Sequence, residues 1–64
     1  MRNWLKAYRE KKNISQQQLA TLVDIDITAI GKYENGKRRP SVDTAKKIAE
    51  VLDFDWTRFY EEDD

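Results

Sequence analysis

The apolar positions of this chain fall into short helical stripes separated by polar turns, and the clearest pair lies between Ser15 and Gly36. In Gln16–Val23, Leu19, Ala20, Leu22 and Val23 fall on one face while Gln17, Gln18 and Thr21 fall opposite, the spacing of an amphipathic helix. Ser15 stands at its N-cap, and Gln18, three residues on, completes a Ser-x-x-Gln capping box. Val23-Asp24-Ile25-Asp26 breaks the period. Asp26 is a good N-cap for a second helix, which Asn35-Gly36 stops, with glycine suited to the left-handed position past a helix end. On this helix Ile27, Thr28, Gly31 and Lys32 cover one side, and Ala29, Ile30, Tyr33 and Glu34 the other. The latter is the candidate core face. The former is short, mixed and free of acids, which suits a surface laid against the phosphates of a DNA major groove.

The same reading extends along the rest of the chain. Residues 2–12 predict a helix in which Leu5 and Tyr8 point inward beside Trp4, with Arg9 one turn from Leu5 on the apolar side. A buried cation there needs a partner. Asn13 ends this helix, and Ile14 can pack as the apolar residue before the Ser15 cap. The segment 36–41, Gly-Lys-Arg-Arg-Pro-Ser, sets three cations directly after the second helix of the pair. Pro40 forbids helical continuation and Ser41 caps the next helix, 42–52. Val42, Ala45, Ile48, Ala49 and Leu52 share its apolar face, while Asp43–Lys47 and Lys46–Glu50 pair along its solvated side. Asp53 ends it, and Asp55 caps a last short helix carrying Trp56, Phe59 and Tyr60. The expected organisation is one domain over residues 1–60, all-α, a compact orthogonal bundle of about five short helices, followed by an acidic tail at 61–64.

Composition narrows the chemistry. In 64 residues there is neither Cys nor His, so no disulfide framework, no thiolate metal site and no imidazole base. Gly is too sparse for a phosphate-cradling loop, and nothing groups Ser, Lys and carboxylates with a base and an oxyanion donor. The expectation is no enzyme, no catalytic residue, no metal and no cofactor. Nor is there an apolar run near the length of a membrane span or a signal-peptide core, which predicts a cytoplasmic module working at the nucleoid. The net charge of zero hides a split: residues 1–39 carry nine basic and four acidic side chains, residues 40–64 three and eight, or +5 against −5. A basic half suggests a polyanionic partner.

Taken together, Ser15-Gln16-x-x-Leu19-Ala20, Ile30-x-x-Tyr33-Glu34-Asn35-Gly36, Arg39-Pro40-Ser41 and Ile48-Ala49-x-x-Leu52 resemble the lambda-repressor-like, Cro-type (XRE-type) helix-turn-helix family across residues 2–56. The ending Phe54-Asp55-Trp56-Thr57-x-Phe59 resembles small regulators of bacteria and their phages. The resemblance implies a helix-turn-helix at 15–35, with Ser15–Val23 crossing the DNA backbone and Asp26–Asn35 as recognition helix. It implies a buried Arg9–Glu34 ion pair, which answers the need for a partner to Arg9. It also implies a phosphate contact from Gln16, with Gln17 nearby, and backbone contacts from Asn35, Lys37, Arg38 and Arg39. Base reading falls to Ile27, Thr28 and Lys32, with Gly31 leaving room for close approach.

Three departures from the family pattern stand out. Asp24 and Asp53 replace glycines at the turns, Ile27 replaces a polar residue, and Asp24 with Asp26 brings negative charge to the groove-facing end. The expected function is sequence-specific double-stranded DNA binding by a transcriptional repressor, as a weak or DNA-induced homodimer on a pseudo-palindromic operator. Val51, Phe54, Trp56, Phe59 and Tyr60 are candidates for dimer contacts, and Phe54 and Trp56 also for a core against Trp4. The alternative is a protein-interaction module of the same fold, such as an antitoxin or anti-repressor. No membrane and no small-molecule substrate is expected.

Overall fold

The computed structural model describes residues 2–61. Four α-helices follow one another: α1 (Asn3–Lys11), α2 (Gln16–Val23), α3 (Ile27–Asn35) and α4 (Val42–Leu52). The expected last short helix is present at Trp56–Tyr60 and is of the 3-10 type. Five residues are too few for a stable α-helix, and the tighter turn closes a bond within each three-residue step. No strand occurs among the described residues. Of the acidic tail expected at 61–64, only Glu61 is described; residues 62–64 lie outside.

The helix starts are set by local chemistry. Ser15 Oγ accepts from the Gln18 amide at 3.0 Å and Gln18 Oε1 accepts from the Ser15 amide at 2.8 Å, the reciprocal capping box. Asp26 Oδ1 accepts from the Thr28 amide at 2.8 Å, and Ser41 Oγ from that of Thr44 at 3.3 Å. The ends repeat one device. Asn13, Asp24, Gly36 and Asp53 adopt positive φ of 58°, 58°, 78° and 63°. The residue after each donates five back: Ile14 to Arg9, Ile25 to Ala20, Lys37 to Lys32 and Phe54 to Ala49. This is the left-handed stop that gives a carbonyl of each helix's last turns a donor from beyond the helix. Aspartate serves in two of these turns because a short polar side chain tolerates the left-handed region better than most.

The core gathers Leu5, Leu19, Ala20, Val23, Ile30, Tyr33, Ala45, Ile48, Leu52 and Phe59. Helix α2 packs on both α3 and α4, and α1 packs on α3. Two residues assigned to apolar faces do not reach it. Leu22 is 60% exposed and Val42 43%. Leu22 stands about 60° round the helix from Leu19, on the side away from Ala20 and Val23. Val42 shares the angular sector of Ala45 and Ala49 but sits in the first turn of α4, where packing has ended.

An aromatic cluster closes the α1 end. Tyr8 stacks on Phe54 at 4.8 Å between centroids, and Trp4 meets Phe54 at 5.4 Å and Phe59 at 5.1 Å edge-on. Phe59, a candidate for dimer contact, is fully buried and cannot serve as one. The Trp56 ring pairs with Tyr60 at 5.9 Å. Thus Phe54 and Trp56 both pack against the core as expected, Phe54 directly on Trp4 and Trp56 with Tyr60 as its ring partner.

Candidate nucleic-acid interface

Helix α3 is anchored on one side and open on the other. Ile30, Tyr33 and Glu34 are buried, while Ile27, Thr28, Lys32 and Asn35 are exposed and Gly31 is half-buried. The exposed row therefore combines a hydroxyl, an ammonium, a carboxamide and one apolar group, Ile27, at 40% exposure. A Cβ built at Gly31 meets nothing within 4 Å, so no contact inside the chain requires glycine there. The negative charge of Asp26 lies at the start of α3, where its carboxylate caps the Thr28 amide.

Lys37, Arg38 and Arg39 are exposed directly after α3. They extend the open face with three cations. The Arg39 guanidinium lies 5.1 Å over the Tyr60 ring, which restrains it without removing it from solvent. The N-terminus of α2 brings Gln17 to the surface. Its Nε2 lies 3.3 Å from Thr21 Oγ1.

Behind this surface lies a buried charge network. Arg9 Nε donates to Glu34 Oε2 at 2.7 Å, and Arg9 Nη2 to Glu34 Oε1 at 3.3 Å. Arg9 Nη1 donates to the Ile14 carbonyl at 2.9 Å. The pair joins the last turn of α1 to the last turn of α3 in a two-pronged, charge-assisted geometry. Gln16 belongs to this network: its Nε2 donates to Glu34 Oε1 at 3.0 Å. One of its two carboxamide donors is thus occupied by Glu34, and only the second is left for a phosphate. Among the described residues no buried side-chain nitrogen or oxygen lacks a partner.

Periodicity missed one residue of this region. Arg2, placed in the expected helix 2–12 and otherwise counted only among the basic groups of the first half, is 5% exposed and donates through Nη1 to the carbonyls of Tyr33 and Arg38. The helix begins at Asn3 instead, so Arg2 stands before it and its burial follows no helical stripe.

A helix-turn-helix family model matches residues 5–59. This chain belongs to the helix-turn-helix family. An uncharacterized transcriptional regulator of that type, YqaF of Bacillus subtilis (strain 168), is 45% identical over 62 residues, 97% of this chain and 82% of its own length. The transcriptional repressor RghR of the same organism is 43% identical over 49 residues, covering 75% of this chain but 36% of RghR. The SPbeta prophage-derived regulator YonR is 40% identical over 48 residues, 75% of this chain and 44% of its own. This helix-turn-helix chain therefore spans most of YqaF and less than half of RghR or YonR. Family membership supports DNA-binding regulation, and the chain is not an enzyme. No helix of the described residues is long and apolar enough to cross a membrane, and they hold no cluster of potential metal ligands.

Proposed function

We propose that this protein is a cytoplasmic repressor that binds double-stranded DNA sequence-specifically, laying α3 into the major groove. The observation that carries this reading is the two-sided character of α3. Its inner side is anchored by Ile30, Tyr33 and Glu34, and its outer side offers an acid-free row continued by Lys37–Arg39. A rigid element with an open polar row is what base reading requires, and cations beside it supply phosphate affinity. Thr28 reads a base edge or a thymine methyl, Ile27 makes apolar contact only, and Lys32 reaches guanine O6/N7. Asn35, Lys37, Arg38 and Arg39 contact the backbone, together with Gln17 and the second donor of Gln16. The repressor assignment draws on the likeness to RghR. Binding as a DNA-assembled homodimer places half-sites about one helical turn apart on a pseudo-palindrome.

Selection of duplex sites by the purified protein tests this. The expected result is a bipartite site bound with a steep salt dependence, lost on combining Thr28→Ala with Lys32→Ala. Gly31→Ala separates stability from binding. It raises stability by about 0.5–1 kcal/mol, because alanine is the better helix former and nothing in the chain opposes its Cβ. It weakens binding to the selected site through the added methyl in the groove. Unchanged affinity would show that α3 does not approach DNA closely at Gly31. Failure to bind any duplex at low salt would favour the protein-interaction module instead.

A further inference from the structure

We infer that Arg2 is a positioning residue for DNA binding: from the far end of the chain it holds the turn after α3 in the shape that presents Lys37, Arg38 and Arg39 to phosphate. The inference rests on the DNA-binding reading above.

Arg2 is drawn into the fold by its bonds. Its Nη1 donates to the Tyr33 carbonyl at 2.7 Å and to the Arg38 carbonyl at 2.6 Å. Its backbone amide donates to the Glu34 carbonyl at 2.8 Å, and its guanidinium lies 5.6 Å from the Phe59 ring centre. The final carbonyls of a helix have no intrahelical donor and carry partial negative charge. A cation bound there is favourable, but that explains only the Tyr33 contact, since the bond to Glu34 comes from the Arg2 backbone amide. The Arg38 carbonyl lies beyond the helix, in the basic turn. A single nitrogen bridging Tyr33 and Arg38 ties that turn to the helix end and fixes the peptide from which the Arg38 and Arg39 side chains leave.

A second side chain holds the same segment from its other flank. The Tyr60 hydroxyl donates to the Pro40 carbonyl at 2.8 Å, and Arg39 lies over the Tyr60 ring. Two carbonyls within three residues are therefore held by side chains from the two ends of the described chain. An exposed run of three cations after a glycine is otherwise free to sample many shapes, and ordering it on DNA costs affinity. Arg2 and Tyr60 remove that cost in advance. Burying a guanidinium to shape a turn is expensive, and it is intelligible where the turn has a binding role.

The test compares the unaltered chain with Arg2→Met, Arg2→Lys and Tyr60→Phe, well below their melting transitions. Two probes are used: the duplex recovered by selection and a random duplex of equal length. Met keeps the apolar stem and removes the donors; Lys keeps a cation and donors; Phe keeps the ring and deletes only the bond to Pro40. Arg2→Met is expected to lose about tenfold in affinity for both duplexes, with a salt slope shallower by about one to two phosphate contacts. Amide exchange at Lys37, whose amide donates to the Lys32 carbonyl, rises at least about tenfold in the free protein, while that at Leu19 and Ile48 is unchanged. Arg2→Lys recovers part of each effect, and Tyr60→Phe gives a smaller change of the same sign. These two preserve buried volume and decide the matter if Arg2→Met does not fold. The positioning role is overturned if the salt slope and turn exchange match those of the unaltered chain. It is equally overturned if exchange rises as much at Leu19 and Ile48 as in the turn. Absence of duplex binding by the unaltered chain overturns the DNA-binding reading and the phosphate role with it.

Discussion

Glu34 accepts hydrogen bonds from Arg9 and Gln16, and so joins α1, α2 and α3 at one buried carboxylate. Its replacement by Ala leaves the Arg9 guanidinium buried with only the Ile14 carbonyl as partner. Breaking such a pair costs about 3–5 kcal/mol, a large share of the stability of so small a domain. Glu34→Ala is therefore expected to lack a cooperative melting transition, or to melt at least about 15 °C lower by circular dichroism. A near-unchanged melting curve would refute this. Arg9→Met combined with Glu34→Leu should recover most of the loss, since it removes both charges together. Arg9 was legible in sequence because a cation on an apolar stripe demands a partner. The role of Gln16 was not. A carboxamide at a helix N-terminus reads the same whether its donors meet a phosphate, a carboxylate, or one of each.

At the scale of the elements, one stop signal recurs after all four α-helices. The residue that follows the left-handed position is Ile14, Ile25 or Phe54 in three cases, each packed against the core, and exposed Lys37 in the fourth. An apolar residue there folds the chain back inward; Lys37 leaves the chain at the surface beside α3. Starts and stops were legible because capping acts within a few residues. The 3-10 helix has its own cap: Asp55 Oδ1 accepts from the Thr57 amide at 3.0 Å and its hydroxyl at 2.8 Å. The Thr57 amide, then the Thr57 hydroxyl, hold the Asp55 carboxyl below its ordinary value of 3.8. A lowered pKa means that the cap's stabilisation is fully present above pH 3.8 and is lost as pH falls through the lower folded value. Asp55→Ala should therefore shrink the drop in melting temperature on acidification from neutral pH to below 3.8. An identical drop in both proteins would show that the cap does not titrate with folding.

For the molecule as a whole, the +5 and −5 halves overstate the charge available to a partner. Arg2 and Arg9 are buried in structural roles, which leaves Lys32 and Lys37–Arg39 as the cations grouped at the open side and the end of α3. In the acidic half, Arg58 lies 4.8 Å over Trp4 and Lys46 5.3 Å over Trp56. Phe59 ties the two ends of the fold together, touching Trp4, Phe54 and the Arg2 guanidinium. Phe59→Ala opens a cavity at that junction and should cost about 3–5 kcal/mol, read as a lower urea midpoint with an unchanged slope. A midpoint within error of the unaltered chain would mean that the 3-10 helix packs on a core already complete without it.

Helix boundaries, caps and the division of α3 into an inner and an outer side are local facts. They depend on neighbours within four residues, so the order of side chains settles them. Which candidates reach the interface is not local. Phe59 turned inward, Leu22 and Val42 stayed in solvent, one donor of Gln16 went to Glu34, and Arg2 closed on the end of α3. Burial and pairing at those positions depend on which distant surface packs opposite, and only tertiary packing brings Arg2 against Arg38 or Phe59 against Trp4.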